Sequence, residues 1–176
     1  NPYRSALSVW YDKVSEEVII KEPSEAVRQG VDLEEYVAQR FCEATGKQVI
    51  KCDKTLYNSK YPFAHANVDR LIVGENALLE CKTTSQMNLK RYRNGEYPTE
   101  YYVQCMHYLA VTGYDKAYLA VLVFSKGFYI YEIERDEAEI DALMQTEEVF
   151  MRDYVQTVIM PNADDYLIHS SEVDTY

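Results

Sequence analysis

Three charged residues interrupt an apolar hairpin pattern between residues 68 and 84. The stretch reads VDRLIVGENALLECKTT, in which the turn GEN joins two segments that fit β-strands. In the second segment, the strand period of two places Glu80 and Lys82 on one face and Leu79 on the other. Asp69 lies on the first segment. These charges need partners, because an unpaired buried carboxylate is costly.

Helical and strand patterns alternate along the rest of the chain. A first helix is predicted to begin with Asn1 as its N-cap. A second helix is predicted to begin at the cap Ser24 and to end at Gly46. The remaining elements are strands at 48–52, 63–73 and 77–83, a helix at 99–112, a hairpin at 116–134 and an acidic helical region at 135–176. The first strand of the last hairpin is apolar on both faces, which predicts an interior position. The fold class is therefore α/β, a single domain over residues 1–176 with a central mixed sheet flanked by helices.

The charge and cysteine content exclude several classes of protein. The net charge of −11 argues against a dedicated nucleic-acid binder, unless positive charge is local or supplied by metal ions. The longest apolar run, residues 117–124, is too short to span a bilayer, so no membrane partner is expected. Four scattered cysteines predict reduced thiols in a cytosolic protein, with neither a zinc site nor a disulfide framework.

Two further polar residues lie on apolar helix faces. Glu34 shares a face with Val37 and Phe41, whereas Glu35 is predicted to point away. Gln104 lies on the inward face of the predicted helix 99–112. The alternative interpretation for Glu34 is partial exposure at the start of the helix. The alternative for Gln104 is an ordinary hydrogen-bonded amide in the core.

A divalent cation would resolve the cost of burying these acids. Mg²⁺ prefers oxygen ligands, and Asp69, Glu80, Glu34 and the main-chain carbonyl of Cys81 would supply them. Lys82 would then lie beside the attacking water. This pattern predicts metal-assisted phosphodiester hydrolysis. The polar loop at 85–100 holds a locally basic patch of Lys90, Arg91 and Arg93, which are candidate DNA-binding residues; a solvated linker is the alternative.

Five stretches of the sequence resemble the YqaJ-type viral recombinases. They are the opening NPYRSALSVWYDK and the motifs GVDLE, VDRLIV, LLECKTT and YYVQCMHYLAVTGYDKAYLAVLV. The YqaJ-type recombinases are relatives of phage lambda exonuclease in the PD-(D/E)xK nuclease superfamily. The resemblance covers residues 1 to about 134 and implies a restriction-endonuclease-like core. It implies Glu34 as the helix acid, Asp69 as the strand acid, Glu80 and Lys82 as the acid–lysine pair and Gln104 as the supporting glutamine. Where the family usually has Asp-Gly, this chain has Asp69-Arg70.

The resemblance also implies an activity and partners. Such proteins degrade one strand of linear duplex DNA from its 5′ end with two Mg²⁺ ions, for which Mn²⁺ substitutes, in the cytoplasm of a bacterial host. They leave a 3′ overhang for a single-strand annealing protein and form a homotrimer. In such proteins an arginine and a Gly-Gly-Ser segment that hold the terminal phosphate usually precede the NPY motif, and this sequence begins at that motif. Arg4 and Ser5 are candidates for the phosphate pocket, with a surface role as the alternative.

Two other functions are compatible with the residues. One is an endonuclease or junction-cutting enzyme with the same metal centre. The other is a non-catalytic acidic protein, a DNA mimic or recombination scaffold, supported by the net charge alone.

Overall fold

The computed structural model describes residues 4–15 and 22–161. Its elements in chain order are α1 (Ala6–Val14), α2 (Glu25–Thr45), β1 (Val49–Lys51), β2 (Leu56–Tyr57), β3 (His65–Ala66), β4 (Arg70–Ile72), β5 (Ala77–Thr84), a 3-10 helix (Gln86–Tyr92), α3 (Thr99–Thr112), β6 (Lys116–Val123), β7 (Gly127–Glu134), α4 (Glu137–Phe150) and a π-helical turn (Met151–Val155). The described residues group into two compact units, one of residues 23–144 and one of residues 4–15 and 22 with 145–161. The single domain over 1–176 stays a prediction, because compact grouping does not establish whether a unit folds independently.

The unit of residues 23–144 is built on a five-stranded sheet with the order β1-β4-β5-β6-β7. Strands β5 and β6 are parallel, and the other neighbouring pairs are antiparallel. The helix α3 makes the crossover that two parallel neighbours require. The predicted mixed sheet is confirmed, and so is the interior position of β6, which lies between β5 and β7.

Helices cover both faces of this sheet. Phe41 of α2 packs in one apolar cluster with Leu79 of β5 and Ala120 of β6. On the other face, Leu109 of α3 packs in a second cluster that includes Leu119. Strand β5 contributes to both clusters because its side chains alternate between the faces. Side chains of β5 can therefore meet residues from either helix.

The predicted strand 63–73 is wrong in its extent. It is divided into β3 and β4, and β3 pairs with β2, a strand that the sequence pattern missed. Asp69 lies at a bend just before β4 rather than inside a strand. The pattern did not distinguish these cases because the apolar alternation continues through the segment, whereas the hydrogen-bonding partner changes. The segment predicted as a polar loop contains the 3-10 helix Gln86–Tyr92.

The ends of the helices follow local chemistry. Ser24 caps α2 through a hydrogen bond from Val27 N–H, and Gly46 ends it in the left-handed conformation, as predicted. The predicted start of the first helix is wrong. Helix α1 begins at Ala6, with the Ser5 side chain accepting a hydrogen bond from Ser8 N–H, and Asn1 lies outside the described residues. Both serine and asparagine are good caps, so the sequence alone did not separate them.

The second unit contains α1 and residues 145–161. Trp10 is buried here, and its indole N–H donates to the carbonyl of Tyr154 over 2.9 Å. The predicted helical region after residue 135 is confirmed over Glu137–Phe150, and residues 162–176 lie outside the described part. In the described ranges, no helix is long and apolar enough to cross a membrane.

Candidate nuclease active site

The site lies where β4 and β5 separate. Their pairing ends at Arg70 opposite Leu79, so residues of β5 beyond Leu79 are not matched by β4. The carboxylate of Asp69 takes the place of a strand partner, and its Oδ2 accepts a hydrogen bond from Cys81 N–H over 2.7 Å. The main-chain N–H and C=O of one strand residue point to the same edge, so the Cys81 carbonyl also faces this gap. The predicted role of that carbonyl as a metal ligand stays a prediction.

Glu80 is the most deeply buried acid of this group, with 2% of its surface exposed. Its Oε1 accepts hydrogen bonds from Lys82 Nζ at 2.5 Å and from Gln104 Nε2 at 2.8 Å. Gln104 comes from α3, on the sheet face toward which Glu80 points, and it also donates to the hydroxyl of Tyr108. The structure therefore brings together the predicted acid–lysine pair and the supporting glutamine.

Glu34 reaches the same region from α2. Arg70 pairs with Oε1 of Glu34 and with Oε2 of Glu35, and it donates to the main-chain carbonyl of Asp69 over 2.7 Å. Glu35 is 81% exposed, as predicted, but its carboxylate still turns back to Arg70. The exposed Glu35 side chain is long enough for its carboxylate to reach the buried cation, a contact that the helix period did not predict.

The charges in the site shift one another's protonation. Burial raises the pKa of Glu80 to about 7, with Asp69 and Glu34 adding to this effect and Lys82 opposing it. Burial also raises the pKa of Asp69, against the hydrogen bond from Cys81. Burial works to lower the pKa of Lys82, but the attraction and hydrogen bond of Glu80 outweigh it, so that pKa lies above its usual value. Lys82 is thus held as an ammonium group at neutral pH.

The raised pKa of Glu80 gives a testable dependence of stability on pH. Between about pH 4.5 and about pH 7 the unfolded chain releases this proton while the folded protein keeps it. The folded state then binds more protons, so stability falls as the pH rises through this range. We expect the metal-free protein to lose stability relative to Glu80→Gln over this interval, measured by urea unfolding of both proteins. A difference between the two that stays constant from pH 4 to pH 8 would contradict the assignment.

The residues present fit a magnesium ion. Within 4–15 and 22–161, no three His, Cys, Asp or Glu side chains are already grouped as a metal-holding cluster. Instead, one oxygen of each acid is already hydrogen-bonded within the protein. Arg70 donates to Glu34, Cys81 N–H donates to Asp69, and Lys82 and Gln104 donate to Glu80. Glu80 Oε2, however, is buried without a hydrogen-bond partner in the described part of the chain. A buried carboxylate oxygen without a partner, near two further carboxylates, suits a hard cation such as Mg²⁺. Which atoms bind the metal stays a prediction.

The five predicted DNA-binding residues have varied local roles. Arg4 forms an ion pair with Asp12, and Ser5 caps α1, both in the unit that contains residues 145–161. Lys90, Arg91 and Arg93 are exposed on and just after the 3-10 helix that follows β5. Arg91 pairs with Glu100 over 2.9 Å, which balances part of the basic patch. Their contact with DNA stays a prediction.

Sequence reasoning missed Arg70, Tyr101 and Tyr108 as members of this site. The Tyr101 ring lies under Lys82, with Nζ 5.3 Å from the ring centroid. The strand period could have identified Arg70. It lies two residues before Ile72, so both side chains point to the same face of the sheet. Ile72 packs with Phe41 of α2, so Arg70 faces the helix that carries Glu34.

Comparison with known proteins agrees with this fold. Residues 1–115 match the model of the YqaJ-like viral recombinase domain. Over 157 residues the chain is 43% identical to the uncharacterized protein YqaJ of Bacillus subtilis (strain 168), covering 88% of this chain and 49% of that protein. The chain therefore spans about half the length of this curated relative.

Two solved structures have the same fold. The alkaline exonuclease LHK-Exo of Laribacter hongkongensis matches with a TM-score of 0.71 at 18% identity, covering 87% of this chain and 88% of that one. A phage related exonuclease from Haemophilus somnus 129PT matches with a TM-score of 0.72 at 14% identity, covering 87% and 80%. The matched domain model, the identity to the Bacillus protein and the shared mixed sheet lead to one conclusion: the chain belongs to the YqaJ-like viral recombinase family.

Proposed function

We propose that this chain is a Mg²⁺-dependent deoxyribonuclease that degrades one strand of linear double-stranded DNA from its 5′ end. The observation that carries the proposal is Glu80, a buried acid with one unpartnered oxygen, held beside Lys82 and close to Asp69. Two solved proteins of this fold are exonucleases by name, which supports the choice of DNA ends as substrate. Mn²⁺ is expected to substitute for Mg²⁺.

The chain's own residues have distinct roles in this reaction. Asp69, Glu80 and the Cys81 carbonyl would hold Mg²⁺, with Glu34 as the acid from the helix side. When bound, the metal supplies positive charge that polarises the phosphate and stabilises the charge of the transition state. Lys82, kept protonated by Glu80, donates a hydrogen bond that orients the attacking water. Gln104 fixes the Glu80 carboxylate from α3. The attacking water gives up a proton to solvent as its oxygen bonds to phosphorus, the phosphorus–oxygen bond to the sugar breaks, and the leaving oxygen takes up a proton from solvent.

The proposal extends to the biological setting of the reaction. We place it in phage or prophage recombination in the cytoplasm of a bacterial host, where the product is a 3′ overhang for a single-strand annealing protein. A homotrimer around the duplex and two metal ions per site complete the proposal. The exposed Lys90 and Arg93 would approach the phosphates of the duplex, where cations offset the net charge of −11.

End-labelled DNA tests this function. We expect linear duplex to be degraded with Mg²⁺ and to be stable in EDTA, with 5′-phosphorylated ends degraded faster than unphosphorylated ends. Closed circular duplex is the control and should stay intact. Cutting of the circle would favour the endonuclease or junction-cutting function. If neither Mg²⁺ nor Mn²⁺ raises the melting temperature, the non-catalytic acidic binding protein becomes the better description.

A further inference from the structure

Arg70 is a buried cation at the centre of the acidic site. It is 3% exposed, and its guanidinium group contacts three different acceptors. One nitrogen, Nη1, donates both to Glu34 Oε1 and to the carbonyl of Asp69, while Nη2 donates to Glu35 Oε2 at 2.9 Å. A charge this deeply buried is tolerated only with such partners. Two of these three acceptors therefore belong to predicted metal ligands, Glu34 and Asp69.

The fold gives Arg70 access to two acids from different elements. Its main chain pairs with Leu79 at the last matched position of β4 and β5, directly beside Asp69. Its side chain lies on the sheet face that α2 covers, and so it meets Glu34. The guanidinium is planar and has donors in a fixed fork, which a lysine cannot reproduce. One side chain thus links the helix acid to the main chain of the strand acid.

We propose that Arg70 is a positioning residue that orients Glu34 and Asp69 for metal binding, an inference that rests on the proposed function. By holding Oε1 of Glu34, Arg70 fixes the carboxylate plane and leaves the second oxygen available to a cation. By bonding the Asp69 carbonyl, it fixes the bend from which the Asp69 side chain reaches the gap between β4 and β5. Hydrogen-bonding partners of metal ligands typically change metal affinity by about 10–100-fold.

The sign of the effect separates positioning from simple charge balance. A guanidinium group beside the ligands repels a cation, so its removal would tighten metal binding if charge were its only contribution. Loss of orientation has the opposite effect and weakens binding. A purely structural arginine would lower the melting temperature without a selective change in metal affinity.

Calorimetric titration of the full chain with Mn²⁺, without DNA, tests this proposal. We expect Arg70→Lys and Arg70→Met to bind Mn²⁺ about tenfold or more weakly than the unchanged protein. Glu35→Gln is the matched control: it removes the negative charge of an exposed partner of Arg70 but no predicted ligand, and we expect its affinity to stay within about twofold. Circular dichroism establishes that each variant is folded, and Arg70→Lys decides the result if Arg70→Met does not fold.

Two outcomes overturn the inference in different ways. If the unchanged protein binds Mn²⁺ and the folded Arg70 variants bind it equally well or more tightly, Arg70 does not position the ligands and the proposed nuclease stands. If the unchanged protein binds no Mn²⁺, both the inference and the proposed function fail.

Discussion

Lys82→Ala is expected to reduce DNA hydrolysis by about three orders of magnitude or more while Mn²⁺ still binds, and Glu80→Ala is expected to abolish both. Charge stabilisation and orientation at a phosphoryl centre contribute several kcal/mol, and about 1.4 kcal/mol corresponds to tenfold in rate. Lys82 contributes an ammonium group and is not a predicted ligand. Glu80 contributes the buried oxygen that has no partner, so its loss removes a ligand as well. Single-turnover digestion of linear duplex and Mn²⁺ titration measure the two quantities.

Lys47→Ala is the matched control for the lost positive charge. Lys47 follows the C-terminal end of α2 and pairs with Glu75. It is 13 residues beyond Glu34, on the order of 20 Å along the helix. We expect its activity to stay near that of the unchanged protein. Unimpaired digestion by either Lys82→Ala or Glu80→Ala would exclude this site as the catalytic centre.

Phe41→Ala is expected to lower the free energy of unfolding by about 3–5 kcal/mol, the largest stability effect that we predict. Phe41 is 0% exposed, and its ring lies 5.3 Å from that of Tyr118 between α2 and the sheet. Removing the ring leaves a cavity that the surrounding sheet cannot fill. For a chain of this length the change corresponds to a melting temperature lower by about 10 °C. Urea and thermal unfolding measure it.

Val31→Ala tests whether the effect depends on burial. Val31 is on the same helix but is 67% exposed, so we expect a change within about 0.5 kcal/mol. A loss of less than 1 kcal/mol for Phe41→Ala would show that α2 is not anchored by this contact. Because α2 carries Glu34, that result would also mean that the Phe41 contact does not hold the helix acid against the sheet.

Local sequence patterns predicted most of the elements. The alternation in residues 77–83 placed Glu80 and Lys82 on one face, and the structure confirms their contact. Ser24 and Gly46 were identified as the limits of α2 because capping depends on a few neighbouring residues. The interior position of β6 followed from its apolar character on both faces.

Other features depended on contacts between distant residues. The break between β3 and β4 was not visible, because apolar alternation does not show which strand is the hydrogen-bonding partner. The hydrogen bond from Cys81 N–H to Asp69 and the contacts of Arg70 were missed for the same reason. Their contacts join positions 34, 35, 69, 70 and 81, which are brought together only when α2 and β5 pack.

The sequence by itself determined which polar residues are candidates for the site and on which face of its own helix or strand most of them lie, because helix and strand periods are local. Only the tertiary structure decided which oxygen of each acid is already held by the protein. One oxygen of each acid accepts a hydrogen bond: Glu34 from Arg70, Asp69 from Cys81 N–H, and Glu80 from Lys82 and Gln104. In the described part of the chain, Glu80 Oε2 is buried without a partner. The physical reason is that hydrogen bonds between elements depend on how the backbones pack and where two strands separate, and neither is encoded in any single segment.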